Sequence, residues 1–328
     1  MNLEFQRMTY MTIALVAGFV LDLIFGDPRW LYHPVRLIGH LISGTERIIR
    51  NCLPANKTGE RIGGGILVLV VVTVSTGVPA VILSVAYKYF WQLGLALESF
   101  WCYQMLATKS LKVESDRVYI ALKNKCLEAG RKAVSMIVGR DVARLDARGV
   151  MRAAVETVAE NTSDGVIAPM LFLAIGGAPL GFFYKAVNTM DSMLGYVEPP
   201  YKDIGLVPAR MDDVFNFIPA RLSALLMLAA GALLQLDVKN GWKIFRRDRC
   251  KHASPNSAQT ESVCAGLLGL RLAGDAWYHG VLHKKDYIGD AKREIELEDI
   301  PRAGRLMYLT AVLALVVFGV GKALLIVL

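Results

Sequence analysis

Arg152, Glu156 and Glu160 stand four residues apart in the stretch RAAVETVAENTSDGVIAP, residues 152 to 169. On a helix they share one face, and Asp164 extends the row if the helix persists. An i,i+4 ion pair accounts for Arg152 and Glu156. It leaves Glu160 and Asp164 with no cation nearby in sequence, and adjacent unpaired carboxylates repel. A divalent cation that prefers oxygen ligands, such as Mg2+, is a natural partner for them. A second set repeats the theme in YKAVNTMDSMLGYVEPPYKDIGLVPARMDDVFNFIPARL, residues 184 to 222. There Asn188 and Asp191 are i,i+3, Asp212, Asp213 and Asn216 form a DDxxN turn, and Lys185, Arg210 and Arg221 lie among them. Carboxylates to hold a metal, beside cations to neutralise phosphate oxygens, are the ingredients of a Mg2+–phosphate site. Two further polar clusters carry Asp22, Asp27, His33 and Arg36 (22–39) and Ser254 and Asn256 (254–274).

All four clusters sit at the edges of apolar runs. The chain has 328 residues, 54% of them hydrophobic, with a mean hydropathy of +0.40. That is the composition of a membrane protein. Met8–Phe25, Gly63–Tyr87, Val166–Val187, Phe217–Leu236 and Leu306–Leu328 each approach the roughly 20 residues a helix needs to cross the hydrocarbon. The expectation is therefore an all-α, polytopic membrane protein with four to five membrane helices. Helical polar inserts at about 88–165 and 237–305 belong to one integral membrane domain, and no strand pattern stands out. The first run ends in DLIFGDPRW rather than a small-residue cleavage site, so it reads as retained. Helical periodicity covers SDRVYIALKNKCLEAGRKAVSMIV, with Gly139 as its stop and Asp141 as the N-cap of the next helix. Within Val166–Val187 the GGAP sequence and Gly181 predict either a broken, re-entrant helix or an ordinary kink.

The net charge of +8 comes from Lys and Arg spread along the two inserts, 12 in 88–152 and 13 in 239–305. That reads as positive-inside loops against anionic lipid, not as a nucleic-acid surface. Five cysteines without a CxxC fit reduced thiols, and His279-x3-His283 lacks a third ligand for a metal. There is no GxxxxGK[ST] phosphate loop, no GxGxxG after a strand and no GxSxG elbow.

In order, GDPxxxxHPVxxIG at 26–39, RAAVETVAENTSDGVIAP at 152–169, YKAxNTxDSMxGY at 184–196, ARxDDxxNxIPARL at 209–222 and SPNS at 254–257 resemble the adenosylcobinamide-phosphate synthase family of cobalamin biosynthesis, the CbiB/CobD type. The resemblance runs over roughly residues 14 to 283. It departs from the family pattern at GYVEPPY, where Val197 follows the GY, and at SPNSAQTE. The resemblance implies an enzyme of the cytoplasmic (inner) membrane using ATP and Mg2+. Its reaction would join (R)-1-aminopropan-2-ol, or its O-phosphate, to the propionate carboxyl of adenosylcobyric acid as an amide. It leaves open a homo-oligomer or association with other cobalamin-assembly enzymes. With that reaction in view, His33 is the candidate general base, since its unperturbed pKa lies near neutrality. Glu156, Glu160 and Lys185 join it as catalytic candidates. Asp164, Asp191, Asp212 and Asp213 complete the pool of metal carboxylates. Lys185, Arg210 and Arg221 would hold phosphate, and Asn161, Asn188, Asn216, Ser254 and Asn256 would meet the corrin amides.

Five full spans would place 26 Lys and Arg on the side of the long inserts and eight on the other, which puts the inserts in the cytoplasm. They would also strand HPVR and NTMDSM…DDVFN across about 30 Å of hydrocarbon from ENTSDG and SPNS. A pocket within the membrane domain, open to the cytoplasm, is the expectation that resolves this. Two rival readings remain: an intramembrane Mg-dependent prenyltransferase, and a non-catalytic sensor or transporter.

Overall fold

A computed structural model describes residues 3–28, 30–196, 198–278 and 280–327. Val197 and His279, named above, lie outside the described residues. The helices, in chain order, are α1 (Leu3–Phe25), α2 (Pro34–Cys52), α3 (Lys57–Tyr89), α4 (Trp91–Met105), α5 (Thr108–Lys123), α6 (Leu127–Val134) and α7 (Ala147–Asn161). After a π-helical turn at Thr162–Ile167 come α8 (Ala168–Leu194), α9 (Leu206–Phe215), α10 (Phe217–Leu233), α11 (Val238–Asp248), α12 (Ser257–Leu268) and α13 (Asp299–Val327). Among the described residues Phe5–Phe25, Lys57–Tyr89, Ala147–Leu194 and Asp299–Lys322 are long and apolar enough to cross a membrane, and the pair α9 and α10 adds a fifth span if it counts as one broken helix. The all-α, multi-pass expectation of four to five spans is met.

The chain divides into two compact units. The first comprises Met1–Leu106, Ala168–Asn216 and Val317–Leu328. Leu15, Leu67, Val71, Leu173 and Met190 are among its buried residues. Caps fix where its helices begin: Asn56 accepts from the Gly59 N–H at 2.8 Å, and His33 Nδ1 accepts from the Val35 N–H at 3.2 Å. Within α8 the backbone leaves the helix at Gly176 and Gly177, the latter at φ +67° and ψ −160°. The GGAP sequence thus breaks its helix. Glu98 explains how the break survives burial: its Oε1 accepts the Ala178 N–H at 3.3 Å, and its Oε2 accepts the Tyr87 hydroxyl at 2.6 Å. A Cβ at residue 177 would stand 2.1 Å from Glu98 Oε1, so only glycine leaves room for the carboxylate to reach the freed amide.

The second unit comprises Ala107–Ile167 and Phe217–Val316. Helix α12 packs on α11, α10 and α7, with Val263, Ala265 and Leu267 among the buried residues. Asp146 caps α7 through the Gly149 N–H at 2.7 Å, and Asp237 caps α11 through the Asn240 N–H at 2.9 Å. Asp146 holds the place predicted for Asp141. The Asp141 side chain instead accepts the Gly280 N–H at 2.8 Å, and its own N–H donates to Trp277 at 2.8 Å. The single helix predicted through residue 138 is broken at Lys125, which takes φ +56° between α5 and α6. Four short strands were not foreseen: β1 (Leu272–Ala273), β2 (Ala276–Tyr278), β3 (Val281–His283) and β4 (Tyr287–Ile288). β1 pairs with β4 and β2 with β3, both antiparallel. Runs of two or three residues are too short to print an alternating pattern.

Asp248 and Asp299, both fully buried, pin this unit's loops. Asp248 accepts from Arg247 at 2.7 Å, from Lys251 at 2.8 Å and from the Gly289 N–H at 2.8 Å. Burial alone would raise its pKa. The Arg247 and Lys251 contacts and the Gly289 N–H outweigh that and hold the carboxyl well below the usual range. A depressed folded pKa contributes stability above the unfolded value of about 3.9, lost as pH falls through the folded value. Asp248→Asn is therefore expected to destabilise the protein by about 3 kcal/mol at pH 7. In thermal melts in detergent, the gap from the unaltered protein should begin to narrow below about pH 4 and close only as pH falls through the folded value.

Candidate functional site

The second unit brings two of the sequence-derived acids, Glu156 and Glu160, to a small polar cavity of about 120 Å3. Buried on α7, Glu156 uses both carboxylate oxygens: Oε2 pairs with the Arg140 guanidinium, and Oε1 accepts the Ala273 N–H at 2.6 Å. Its partner is thus Arg140, 16 residues away, and not Arg152. One contact joins the loop before α7 to it and the other joins β1, so Glu156 builds the cavity wall. One helical turn on, half-buried Glu160 faces the cavity with Asn161, whose Nδ2 is anchored to the Thr157 carbonyl at 3.0 Å.

Opposite stands Glu261 of α12, 5% exposed, whose Oε2 has no hydrogen-bond partner. Burial, reinforced by Glu160 and Glu156, raises its pKa well above the carboxylate range. His252 completes the wall. Burial lowers its pKa, Lys285 adds to that, and Glu160 opposes it. Because His252 Nδ1 accepts the Ser254 N–H at 3.1 Å, the neutral ring carries its proton on Nε2 and is a donor.

The cavity shares His252, Ala273 and Lys285 with a wider one of about 470 Å3, whose lining adds Lys251, Lys284, Asp275 and Asp286. Three glutamates thus line the inner compartment beside Arg140 and Lys285, and three lysines and two aspartates stand around the outer one. Lys285 Nζ donates to the Tyr278 hydroxyl at 2.8 Å, which holds it at the junction. Such a division suits a cation inside and phosphate oxygens outside.

The remaining predicted residues fall elsewhere. In the same unit, Arg221 Nη1 donates to Asn256 Oδ1 at 3.1 Å, and its guanidinium lies over the Phe217 ring at 3.5 Å. Ser254 Oγ accepts the Asn256 N–H at 3.3 Å. Asp164 sits half-buried in the π-helical turn, a distortion that recurs at functional sites.

The first unit holds the other group. Asn188 Nδ2 donates to Asp212 Oδ1 at 3.4 Å, and the Tyr184 hydroxyl donates to Asn216 Oδ1 at 2.8 Å. Asp191 and Asp213 are half-buried beside them in sequence, and Arg210 is exposed. His33 lies 3.8 Å from Asp27, in the electrostatic field of Lys185. Burial lowers its pKa, with Asp27 opposing. Its Nδ1 is occupied by the cap of α2, so the neutral ring presents Nε2–H and is set to donate rather than to take the proton a general base must take. Among the described residues no three His, Cys, Asp or Glu side chains form a preformed metal site.

Arg140, His252, Glu261 and Lys285 escaped the sequence reading. For Glu261 a signal existed: it is the lone acid in AQTESVCAGLLGL, as out of place there as Glu156 is in its own segment. Nothing local marks the others, which reach the cavity from loops.

A family model described as "CobD/Cbib protein" matches residues 15–307. The chain is 46% identical over 305 residues to cobalamin biosynthesis protein CobD of Clostridium perfringens, covering 93% of this chain and 96% of that one. It is 46% identical over 311 residues to cobalamin biosynthesis protein CbiB of Salmonella choleraesuis, at 94% and 96% coverage. With CobD of Clostridium tetani the identity is 42% over 306 residues, at 93% and 96%. No solved structure matches.

A carboxyl whose folded pKa is raised contributes stability that is complete below its unfolded value of about 4.3 and is lost as pH rises towards the folded one. Glu261→Gln removes that loss. The variant should melt above the unaltered protein at pH 8, with the difference shrinking towards pH 5.

Proposed function

The chain belongs to the CobD/CbiB family, and on that premise we propose that it is an enzyme of cobalamin biosynthesis, joining an amine to a corrinoid carboxyl as an amide at the cost of ATP. The acid is the propionate of adenosylcobyric acid, and the amine is (R)-1-aminopropan-2-ol or its O-phosphate. The single observation that supports this most is the paired cavity of the second unit, with three glutamates in its inner compartment and three lysines around its outer one.

A carboxylate is a poor acyl donor. Transfer of the γ-phosphoryl group of ATP to one of its oxygens gives an acyl phosphate and ADP. The neutral amine then attacks the carbonyl carbon, the C–O bond to phosphate breaks, and inorganic phosphate leaves with its electron pair. Lys251, Lys284 and Lys285 hold the phosphate oxygens and spread the charge of the transferring group. His252 adds a donor from Nε2. The ammonium form of the amine gives its proton to the Glu160 carboxylate before attack, and the proton passes on to solvent.

Mg2+ fits the donors present. It commonly takes only one or two protein carboxylates and completes its shell with water and phosphate. Glu160 and Glu261 face one cavity, and Glu261 Oε2 lacks any other partner. Those two would hold the ion, which when bound neutralises phosphate charge. In the first unit, Lys185 and Arg210 remain proposed phosphate ligands, with Asn188 and Asn216 for corrin amides and Asp191, Asp212 and Asp213 as further metal carboxylates. The active site is proposed to open to the cytoplasm from the inner membrane.

The test is ADP release by the detergent-purified protein given Mg-ATP, adenosylcobyric acid and aminopropanol phosphate, each omitted in turn. ADP should require the acid, and amide should require all three. Glu160→Gln should lower the rate of amide formation by at least about a hundredfold. Folded protein that binds the corrinoid yet forms neither ADP nor amide would move the reading to sensing or transport.

A further inference from the structure

The first unit contains a cavity of about 670 Å3 that takes no part in the chemistry above. Its walls come from one end of α1, the last turns of α3, the start of α4 and the break in α8. Arg7 is the last charged residue before the apolar run of α1, and Lys88 is the first after the 25 uncharged residues of Gly63–Tyr87. Both line the cavity and both are exposed. Because α1 and α3 are candidate spans, these two cations mark one boundary of the hydrocarbon. Aromatic rings stand at the same level: Tyr10 is stacked between Tyr87 at 5.7 Å and Trp91 at 5.4 Å. Cations and such rings together characterise the headgroup region of a bilayer. Further down the lining is Met11, Ala80, Leu83, Pro179 and Leu180.

Glu98 also reaches this cavity, but the fold already uses its charge. The carboxylate accepts from Tyr87 and Ala178, and the buried Lys322 ammonium lies in its field. The charges left to meet a ligand are positive. The volume lies within the roughly 300–1,000 Å3 of small-molecule pockets, too little for a whole two-chain lipid.

We infer that this cavity is a binding site for one anionic phospholipid of the surrounding bilayer. The headgroup phosphate meets Arg7 and Lys88 at the level of the Tyr10 stack. One acyl chain lies between α1, α3 and the α8 break, and the other chain remains in the membrane. The site is independent of the proposed reaction.

Delipidated protein in mild detergent, titrated with dioleoylphosphatidylglycerol or dioleoylphosphatidylcholine and read by native mass spectrometry, tests it. One copy of the anionic lipid should be retained with roughly tenfold or greater preference. The double variant Arg7→Gln/Lys88→Gln should lose that preference. Ala80→Phe, which fills the chain's place, should weaken retention of both lipids, and glycerol phosphate should displace neither. Equal retention of the two lipids by the unaltered protein overturns the proposal without any variant. So does a double variant that keeps the preference, or displacement by glycerol phosphate.

Discussion

A carboxylate taken out of water must be paired, must accept enough hydrogen bonds, or must keep its proton, and this protein arranges its interior around that constraint. Glu156 is paired and fully bonded, to Arg140 and the Ala273 N–H. Glu98 accepts an amide released by a helix break. Asp248 and Asp299 are buried at loop junctions with Lys and Arg around them. Glu261 takes the third course, and its unsatisfied Oε2 is an opening for a ligand cation.

In the second unit these arrangements divide the work. Glu156 is spent on holding the cavity walls, which frees Glu160 and Glu261 to face a ligand. Lys251 and Lys284 stand one compartment further out, and Lys285, held by Tyr278, lies where the two compartments meet. The price is stability at neutral pH, a common cost of a preorganised charged site.

The fold was largely legible in the sequence because its strongest signals are long. Apolar runs near 20 residues give the membrane helices directly, and GGAP marked a break that Gly177 realises. Local punctuation was read less well. Asp141 has the composition of a cap but serves the β2–β3 hairpin, while Asp146 caps α7. Lys125 ends a helix in a left-handed conformation that nothing in its residue type announces. Among the site residues, Glu156 and Glu160 stood out by their spacing, and the structure distinguishes them by partner: one is bonded into the wall, and one faces the cavity. His33 looked like a base from its type alone, and only the cap at Nδ1 shows which nitrogen remains. Arg140, His252 and Lys285 act through contacts with residues far from them in sequence, which no local pattern contains.

The proposed reaction puts phosphate chemistry in the lysine-rimmed cavity of the second unit. Periodate-oxidised ATP carries a dialdehyde on its ribose and forms reducible imines with lysines beside bound nucleotide. Labelling of the purified protein, borohydride reduction and peptide mapping would locate the site. The account predicts label on Lys251, Lys284 or Lys285, suppressed by Mg-ATP. Mg-ATP-protected label confined to Lys185, with the three cavity lysines unmodified, would contradict it.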